Sequence, residues 1–238
     1  MFAGWNTASP RQYELLLDYV RRGGTLFISI PHLSTNDRRN YSSFGVEELV
    51  NGGDFSDLCG VRVEGPDERF YWATVPHDST ELGVRFPRRF GIMAVPSGRV
   101  QFVDPSVEAL VVDDEHAKPI LLRRRCGAGT VYFLNAWAYP GAMNTDEGPG
   151  ARVGSKGLIG TLYQHIAAAH RGSVWITDDG QTTGVECEYI AYSYFPEDGS
   201  ICVQNVDLHH SRRVFLHQDG KVRELQLDPG EFRLIRAQ

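Results

Sequence analysis

A helix followed by two glycines and a short apolar run is the feature that most narrows what this chain can fold into. Ser9 is placed to cap the helix, Pro10 takes its first position, and Gln12 completes a capping box. The glycines at 23–24 end the helix, because one residue there must turn left-handed. The next segment, TLFISI at 25–30, reads as a strand covered on both faces. This pattern predicts half of a βαβ unit, and therefore an α/β domain with a mainly parallel sheet.

Three later segments fit the same fold class. Residues 55–65, FSDLCGVRVEG, predict a short helix and then a strand. Residues 118–138 predict two strands around a glycine-rich turn, and residues 154–170 predict a second amphipathic helix. Between 66 and 117 the pattern is weaker and predicts only short strands and loops.

Beyond residue 175 the chain consists of short alternating runs separated by turn sequences. The turns include PEDG at 196–199, QDG at 218–220 and DPG at 228–230. Closely spaced strands with such turns predict a small antiparallel β-sandwich. We therefore predict two domains, an α/β domain over 1–175 and a β-sandwich over 176–238.

The four cysteines predict structural thiols rather than a metal site. No two of them have the two-to-four-residue spacing of zinc ligands. A turn at 196–199 sets Cys202 opposite Ser193 and leaves Cys187 six positions away, too far for a disulfide. Free thiols are typical of a reducing compartment, so we expect a cytoplasmic protein.

Charge and hydropathy exclude two classes of partner. The net charge of −6 gives no basic footprint for nucleic acid. No apolar stretch approaches the roughly 20 residues of a membrane-spanning helix. The glycines of CGAGTV at 126–131 enter a strand rather than a helix, so they do not form a nucleotide-binding loop. We predict no nucleic-acid or membrane partner, no cofactor and no bound metal.

The polar segment after the first strand is one candidate site. Ligands and nucleophiles of open α/β sheets lie just past the carboxyl ends of strands, and here that position holds His32, Asn36 and Asp37. The pattern resembles the flavodoxin-like sheet of class I glutamine amidotransferases, which place a cysteine at such an elbow. This elbow has no cysteine and lacks the flanking glycines that a nucleophile needs. A polar ligand or partner contact is the functional hypothesis, and a histidine held by local backbone is the favoured alternative.

A second strand end carries aromatic residues. Trp137 and Tyr139 lie in the segment NAWAYPGAMNTDEGPG at 135–150. Such rings either stack on a sugar face or cover a sheet edge or an interface. We favour the covering or interface role.

Acids and histidines elsewhere give weaker signals. Asp113, Asp114 and Glu115 are consecutive, as are His209 and His210. Paired carboxylates carry out glycoside hydrolysis, but the sequence gives no separation between them. Solvated loops are the favoured interpretation for the acids. The two histidines have only Asp207 at metal-ligand spacing, so metal binding is not the favoured interpretation there.

Several motifs together resemble one enzyme family. The segment LLLDYVRRGGTLFISIPHLSTNDRR, followed by DLCGVRVEG, is similar to the trimerisation domain of glycoside hydrolase family 42 β-galactosidases. KPILLRRRCGAGTVYFLNAWA resembles a later region of that domain. TTGVECEYI, SICVQNVDLHHSRRVFL and LDPGEFRLI are similar to the small C-terminal β domain of the same enzymes.

The resemblance implies the C-terminal region of such an enzyme without its catalytic part. The family carries two catalytic glutamates on an N-terminal (β/α)₈ barrel, which needs about 250 residues, so no catalytic residue transfers to this chain. Phe2 and Ala3 resemble the end of a truncated strand, and we expect a fragment.

We therefore predict a non-catalytic accessory or oligomerisation region. The expected partners are a second copy or the missing barrel, with carbohydrate as a further candidate. The open alternatives are a carbohydrate-binding module and an amidotransferase- or peptidase-like hydrolase with an unrecognised nucleophile.

Overall fold

The computed structural model describes residues 8–36, 44–75, 89–137, 174–178 and 189–236, together with residues 158, 159, 162, 166, 172 and 187. The chain divides into two compact units, Met1–Ile166 and Ala167–Gln238. The described residues of unit 1 form one mixed sheet, and those of unit 2 form two antiparallel sheets.

Unit 1 begins as the sequence predicts. Helix α1 spans Pro10–Arg21. Its capping box is formed, since the Gln12 N–H donates to Ser9 Oγ and the Ser9 N–H donates to Gln12 Oε1. Gly23 adopts a φ of +108°, and strand β1, Thr25–Ser29, follows. The predicted helix, glycine turn and buried strand are confirmed.

The remaining elements of unit 1 are mostly strands. In chain order they are β2 (Asp54–Phe55), α2 (Ser56–Cys59), β3 (Val61–Thr74), β4 (Arg89–Phe102), β5 (Glu108–Asp113), β6 (Pro119–Cys126) and β7 (Gly129–Leu134). Short 3₁₀ turns span Ile30–Leu33, Val46–Glu48 and Val50–Gly53. The helix and strand predicted over 55–65 and the two strands predicted over 118–138 are confirmed.

The sheet of unit 1 is mixed rather than mainly parallel. Its strand order is β1–β7–β6–β5–β3–β2, with β4 paired to β3. Among the described strands only β1 and β7 run parallel, and the other pairings are antiparallel. The expected mainly parallel sheet is thereby corrected, whereas the flavodoxin-like description of unit 1 remains a prediction. A continuous apolar run indicates burial on both faces, but strand direction depends on pairing between distant segments.

The largest departure from the sequence prediction is the pair β3 and β4, with 14 residues each. Their segment was predicted to hold only short strands and loops. Register shifts interrupt their pairing at Val63/Gly65, Pro66/Arg69 and Phe70/Trp72. Each bulge changes which side chains face inward, so the period of two is lost along the sequence although the strands are long.

Both faces of this sheet are buried. Leu26 and Ile28 of β1 belong to one apolar cluster, and Phe27 belongs to the cluster on the opposite face. Within the helix predicted at 154–170, the described residues Leu158, Ile159, Leu162 and Ile166 are helical and buried in the second cluster. The rest of that helix lies outside the described residues.

Unit 2 contains six described strands. They are β8 (Val174–Thr177), β9 (Ile190–Phe195), β10 (Ser200–Asn205), β11 (Arg212–Gln218), β12 (Lys221–Leu227) and β13 (Phe232–Ile235). They form two sheets, β13–β10–β9 and β12–β11–β8. Cys202 pairs with Ser193, as the PEDG turn predicts. Both sheets contribute to one apolar cluster, while the sandwich and its boundary at residue 175 remain predictions.

None of the described helices combines the length and the apolar character needed to cross a bilayer. The four cysteines are free thiols, with Cys59 and Cys126 buried and Cys187 and Cys202 half-buried. The cytoplasmic location remains a prediction.

Candidate functional site

The parallel strands β1 and β7 bring the two candidate segments to one edge of the sheet. Ser29 at the end of β1 pairs with Leu134 at the end of β7. The chain therefore leaves the two strands side by side. After β1 it enters the 3₁₀ turn Ile30–Leu33, and after β7 it continues into residues 135–137.

The imidazole of His32 is fully buried in the turn that follows β1. Its Nδ1 accepts a hydrogen bond from the Ser29 N–H at 3.0 Å and lies 3.0 Å from Ser29 Oγ. Accepting from a backbone N–H requires a lone pair on Nδ1, so the neutral ring carries its proton on Nε2. His32 is thus held by its own turn, and its assignment as a ligand or interface residue remains a prediction.

Ser29 and His32 have the separation of a nucleophile and its base, but not the accessibility. A catalytic pair of this type lies within about 3.2 Å and must also be reached by the substrate. Both Ser29 and His32 are 0% exposed. The geometry therefore does not support nucleophilic catalysis at this strand end.

Asn36 connects the segment after β1 to the turn Val46–Glu48. Its Nδ2 donates to Glu48 Oε1 at 2.5 Å, and its backbone N–H donates to Ser34 Oγ at 3.1 Å. The Thr35 hydroxyl adds a bond to the Glu48 carbonyl at 2.8 Å. These contacts join residues 34–36 to the turn Val46–Glu48. The third residue of the predicted site, Asp37, lies outside the described residues.

Trp137 is buried inside unit 1. Its side chain is 2% exposed, and its ring stacks on Phe44 with 5.0 Å between centroids and 14° between planes. The indole Nε1–H donates to the Phe44 carbonyl at 3.2 Å, and the Trp137 N–H donates to the Pro96 carbonyl at 2.7 Å. The ring therefore covers the interior of its own unit. Tyr139 lies outside the described residues.

Asn135, which the sequence prediction did not single out, closes this edge of the sheet. It is buried, its Nδ2 donates to the Gly98 and Pro119 carbonyls at 2.9 and 2.8 Å, and its Oδ1 accepts from the Gly98 N–H at 3.1 Å. A Cβ at Gly98 would lie 2.6 Å from both Asn135 Oδ1 and Ile30 Cδ1. Strand β4 therefore packs directly over the ends of β1 and β7. The only sequence signal was a polar residue at the end of an apolar strand.

The other acids and histidines are engaged in local pairs. Asp207 accepts from the His209 N–H at 2.9 Å, from Arg212 at 2.5 Å and from His210 Nδ1 at 3.1 Å. These hydrogen bonds, the one from the His209 backbone first, hold the pKa of Asp207 far below its usual range. Asp114 pairs with Arg89 at 2.6 Å. Among the described residues, no three His, Cys, Asp or Glu side chains are arranged to hold a metal ion.

Among the comparisons with known proteins, only solved structures match this chain, and they indicate its fold. No family model and no curated protein matches the chain. A β-galactosidase from Bacillus circulans sp. alkalophilus matches with a TM-score of 0.60 at 16% identity, over 98% of this chain and 32% of that one. A β-galactosidase from Rahnella sp. R3 gives a TM-score of 0.60 at 14% identity, over 98% and 31%. A GH42 β-galactosidase from G. stearothermophilus gives 0.57 at 15%, over 98% and 30%.

Nearly the whole chain therefore shares its fold with part of these β-galactosidases. The chain spans 30–32% of their length. The resemblance to family 42 that the sequence motifs indicated is confirmed at the level of the fold.

Proposed function

We propose that this chain is a non-catalytic accessory region of a glycoside-hydrolase-like protein, serving oligomerisation or bracing of a catalytic barrel. The proposal rests on the extent of the structural match, because 98% of this chain matches only 30–32% of each β-galactosidase. The amidotransferase-like description of unit 1 and the sandwich description of unit 2 belong to the same proposal.

The packing at the ends of β1 and β7 supports a structural role. Open α/β sheets bind ligands in a crevice outside the carboxyl ends of their strands. Here β4 occupies that position, because Asn135 binds Gly98 through both backbone groups and the Trp137 N–H binds Pro96. Contacts of this kind with the protein's own backbone favour a structural role for these strand ends over substrate binding.

The two alternatives have less support from the described residues. A hydrolase would need an accessible nucleophile, and the Ser29–His32 pair is buried. A carbohydrate-binding module using Trp137 would need an exposed ring, whereas this indole is 2% exposed and stacked on Phe44.

Self-association of unit 1 requires an exposed apolar surface other than Trp137. Leu15 and Tyr19 lie one turn apart on α1, and each is 52% exposed. Residues four apart share one face of a helix. This face of α1 is the contact that we propose for a second copy.

Sedimentation velocity over a range of concentrations tests this role. We expect the wild-type chain to associate, and Leu15→Glu to shift the equilibrium toward monomer because a charge would be buried in the contact. Leu208→Glu is the matched control, since Leu208 is 73% exposed in unit 2, and it should associate like the wild type. A wild-type chain that remains monomeric at the highest concentration would contradict the self-association role.

A further inference from the structure

We infer that unit 2 carries a binding site for a small oxyanion, a phosphate monoester or a carboxylate, beside the turn that joins β11 and β12. A cavity of about 230 Å³ lies there. Its lining residues are Leu216, Gln218, Asp219, Lys221, Arg223, Ile235 and Arg236. All of these residues belong to unit 2, and the inference does not depend on the proposed function.

The composition of this cavity follows from the alternation along β12. Leu225 and Leu227 of this strand are buried in the core of unit 2. Positions 221 and 223 continue the same face, because side chains two apart on a strand point the same way, and they are Lys221 and Arg223. In register, Arg223 lies opposite the buried Leu216. The inner face of the sheet therefore changes from apolar to basic at the end of the core.

The three cations of the cavity form no close ion pair with a described carboxylate. Within the described part of the chain, Lys221, Arg223 and Arg236 have no ion pair within 4.0 Å and no side-chain hydrogen bond. By contrast, Arg213 on the same hairpin pairs with Glu224 at 2.9 Å. Three like charges around one cavity repel one another. The concentration of positive charge here contrasts with the net charge of −6 of the chain. A bound anion would relieve that repulsion.

Two acids near the cavity limit its positive charge without cancelling it. Asp219 is the carboxylate of the lining. Asp198 is bound by Ser200, whose side-chain and backbone hydrogen bonds are the main reason that the pKa of Asp198 is lowered, with a smaller contribution from Arg236. The cations therefore still outnumber the acids.

The ligand class follows from the donors and the size. A guanidinium presents a planar fork of N–H donors that matches the oxygens of a phosphate or carboxylate, and Arg223 and Arg236 provide two such groups. Leu216 and Ile235, which are 2% and 7% exposed, form an apolar floor. Pockets for drug-sized ligands hold about 300–1,000 Å³, so 230 Å³ suits a molecule of monosaccharide size or smaller.

Titration calorimetry at low ionic strength tests the site with four probes: inorganic phosphate, glucose 6-phosphate, galacturonate and neutral galactose. We expect saturable binding of at least one anion and none of galactose. Tighter binding of glucose 6-phosphate would identify a phosphate ester as the ligand, and tighter binding of galacturonate would identify a carboxylate.

The double variant Arg223→Gln/Arg236→Gln should weaken this binding by about tenfold or more. Arg213→Gln removes the same type of charge from the same hairpin and should bind like the wild type. Circular dichroism checks that each variant is folded, and amide chemical shifts locate the bound anion at residues 216–223. Absence of saturable binding with all three anions would overturn the inference. Equal weakening by Arg213→Gln would also overturn it, because it would indicate general charge screening.

Discussion

Replacing Trp137 by alanine tests whether its ring belongs to the core of unit 1. The side chain is 2% exposed, its ring stacks on Phe44 at 5.0 Å, and its Nε1–H donates to the Phe44 carbonyl at 3.2 Å. Truncating a buried aromatic residue to alanine costs about 3–5 kcal/mol. The Phe44 carbonyl also loses its donor. We expect the free energy of unfolding of unit 1 to fall by about 3–5 kcal/mol.

Two further variants separate the contributions to this loss. Trp137→Phe keeps one aromatic ring beside Phe44 but removes the N–H donor and the second ring of the indole. It should therefore cost less than the alanine variant, about 1–3 kcal/mol. Trp72→Ala removes the same atoms from a side chain that is 41% exposed and has Arg89 4.2 Å from its ring. Loss of an exposed cation–π contact is worth about 0.5–1 kcal/mol, so this control should be much milder.

Urea unfolding followed by circular dichroism measures these changes, and sedimentation of the same samples measures association. A Trp137→Ala chain with the stability of the wild type would refute the packing described here. If that variant also failed to associate, Trp137 would be an interface anchor instead.

Two further predictions concern the closed sheet edge and acid stability. Gly98→Ala should lower the free energy of unfolding by about 1–3 kcal/mol through overpacking, since its Cβ would lie 2.6 Å from Asn135 Oδ1 and from Ile30 Cδ1. Gly172→Ala is the control, because its Cβ would lie in open space. Equal stability of the two variants would contradict the close packing at Gly98. Hydrogen bonds from Ser56 and then Arg62 lower the pKa of Asp54 to about 2, so its stabilising contribution is present above its unfolded pKa and is lost as the pH falls toward 2. Asp54→Asn should therefore make the free energy of unfolding less dependent on pH between about 4 and 2, as measured by urea unfolding at each pH. An unchanged pH dependence would argue against the hydrogen bonds from Ser56 and Arg62.

Features encoded by neighbouring residues were predictable from the sequence. The capping box of Ser9 and Gln12 set the start of α1, and the glycines at 23–24 set its end. The PEDG turn fixed the register that places Cys202 opposite Ser193. In each case the determining atoms lie within a few residues along the chain, so local rules suffice.

Features that depend on distant contacts were not predictable. The apolar run of β1 indicated two buried faces but not that most of the sheet is antiparallel. Bulges hid the length of β3 and β4. The burial of Trp137 depends on Phe44, 93 residues away. Its aromatic type suited an interface and a core equally well, and only the tertiary fold distinguishes them.

The most direct test of a non-catalytic role is turnover by the purified wild-type chain, assayed with an aryl β-galactoside and with glutamine. We expect hydrolysis of neither substrate above the rate in buffer, because the described strand ends are closed by β4 and the Ser29–His32 pair is buried. Turnover of either substrate that is abolished by one substitution in this chain, such as Ser29→Ala, would contradict the account.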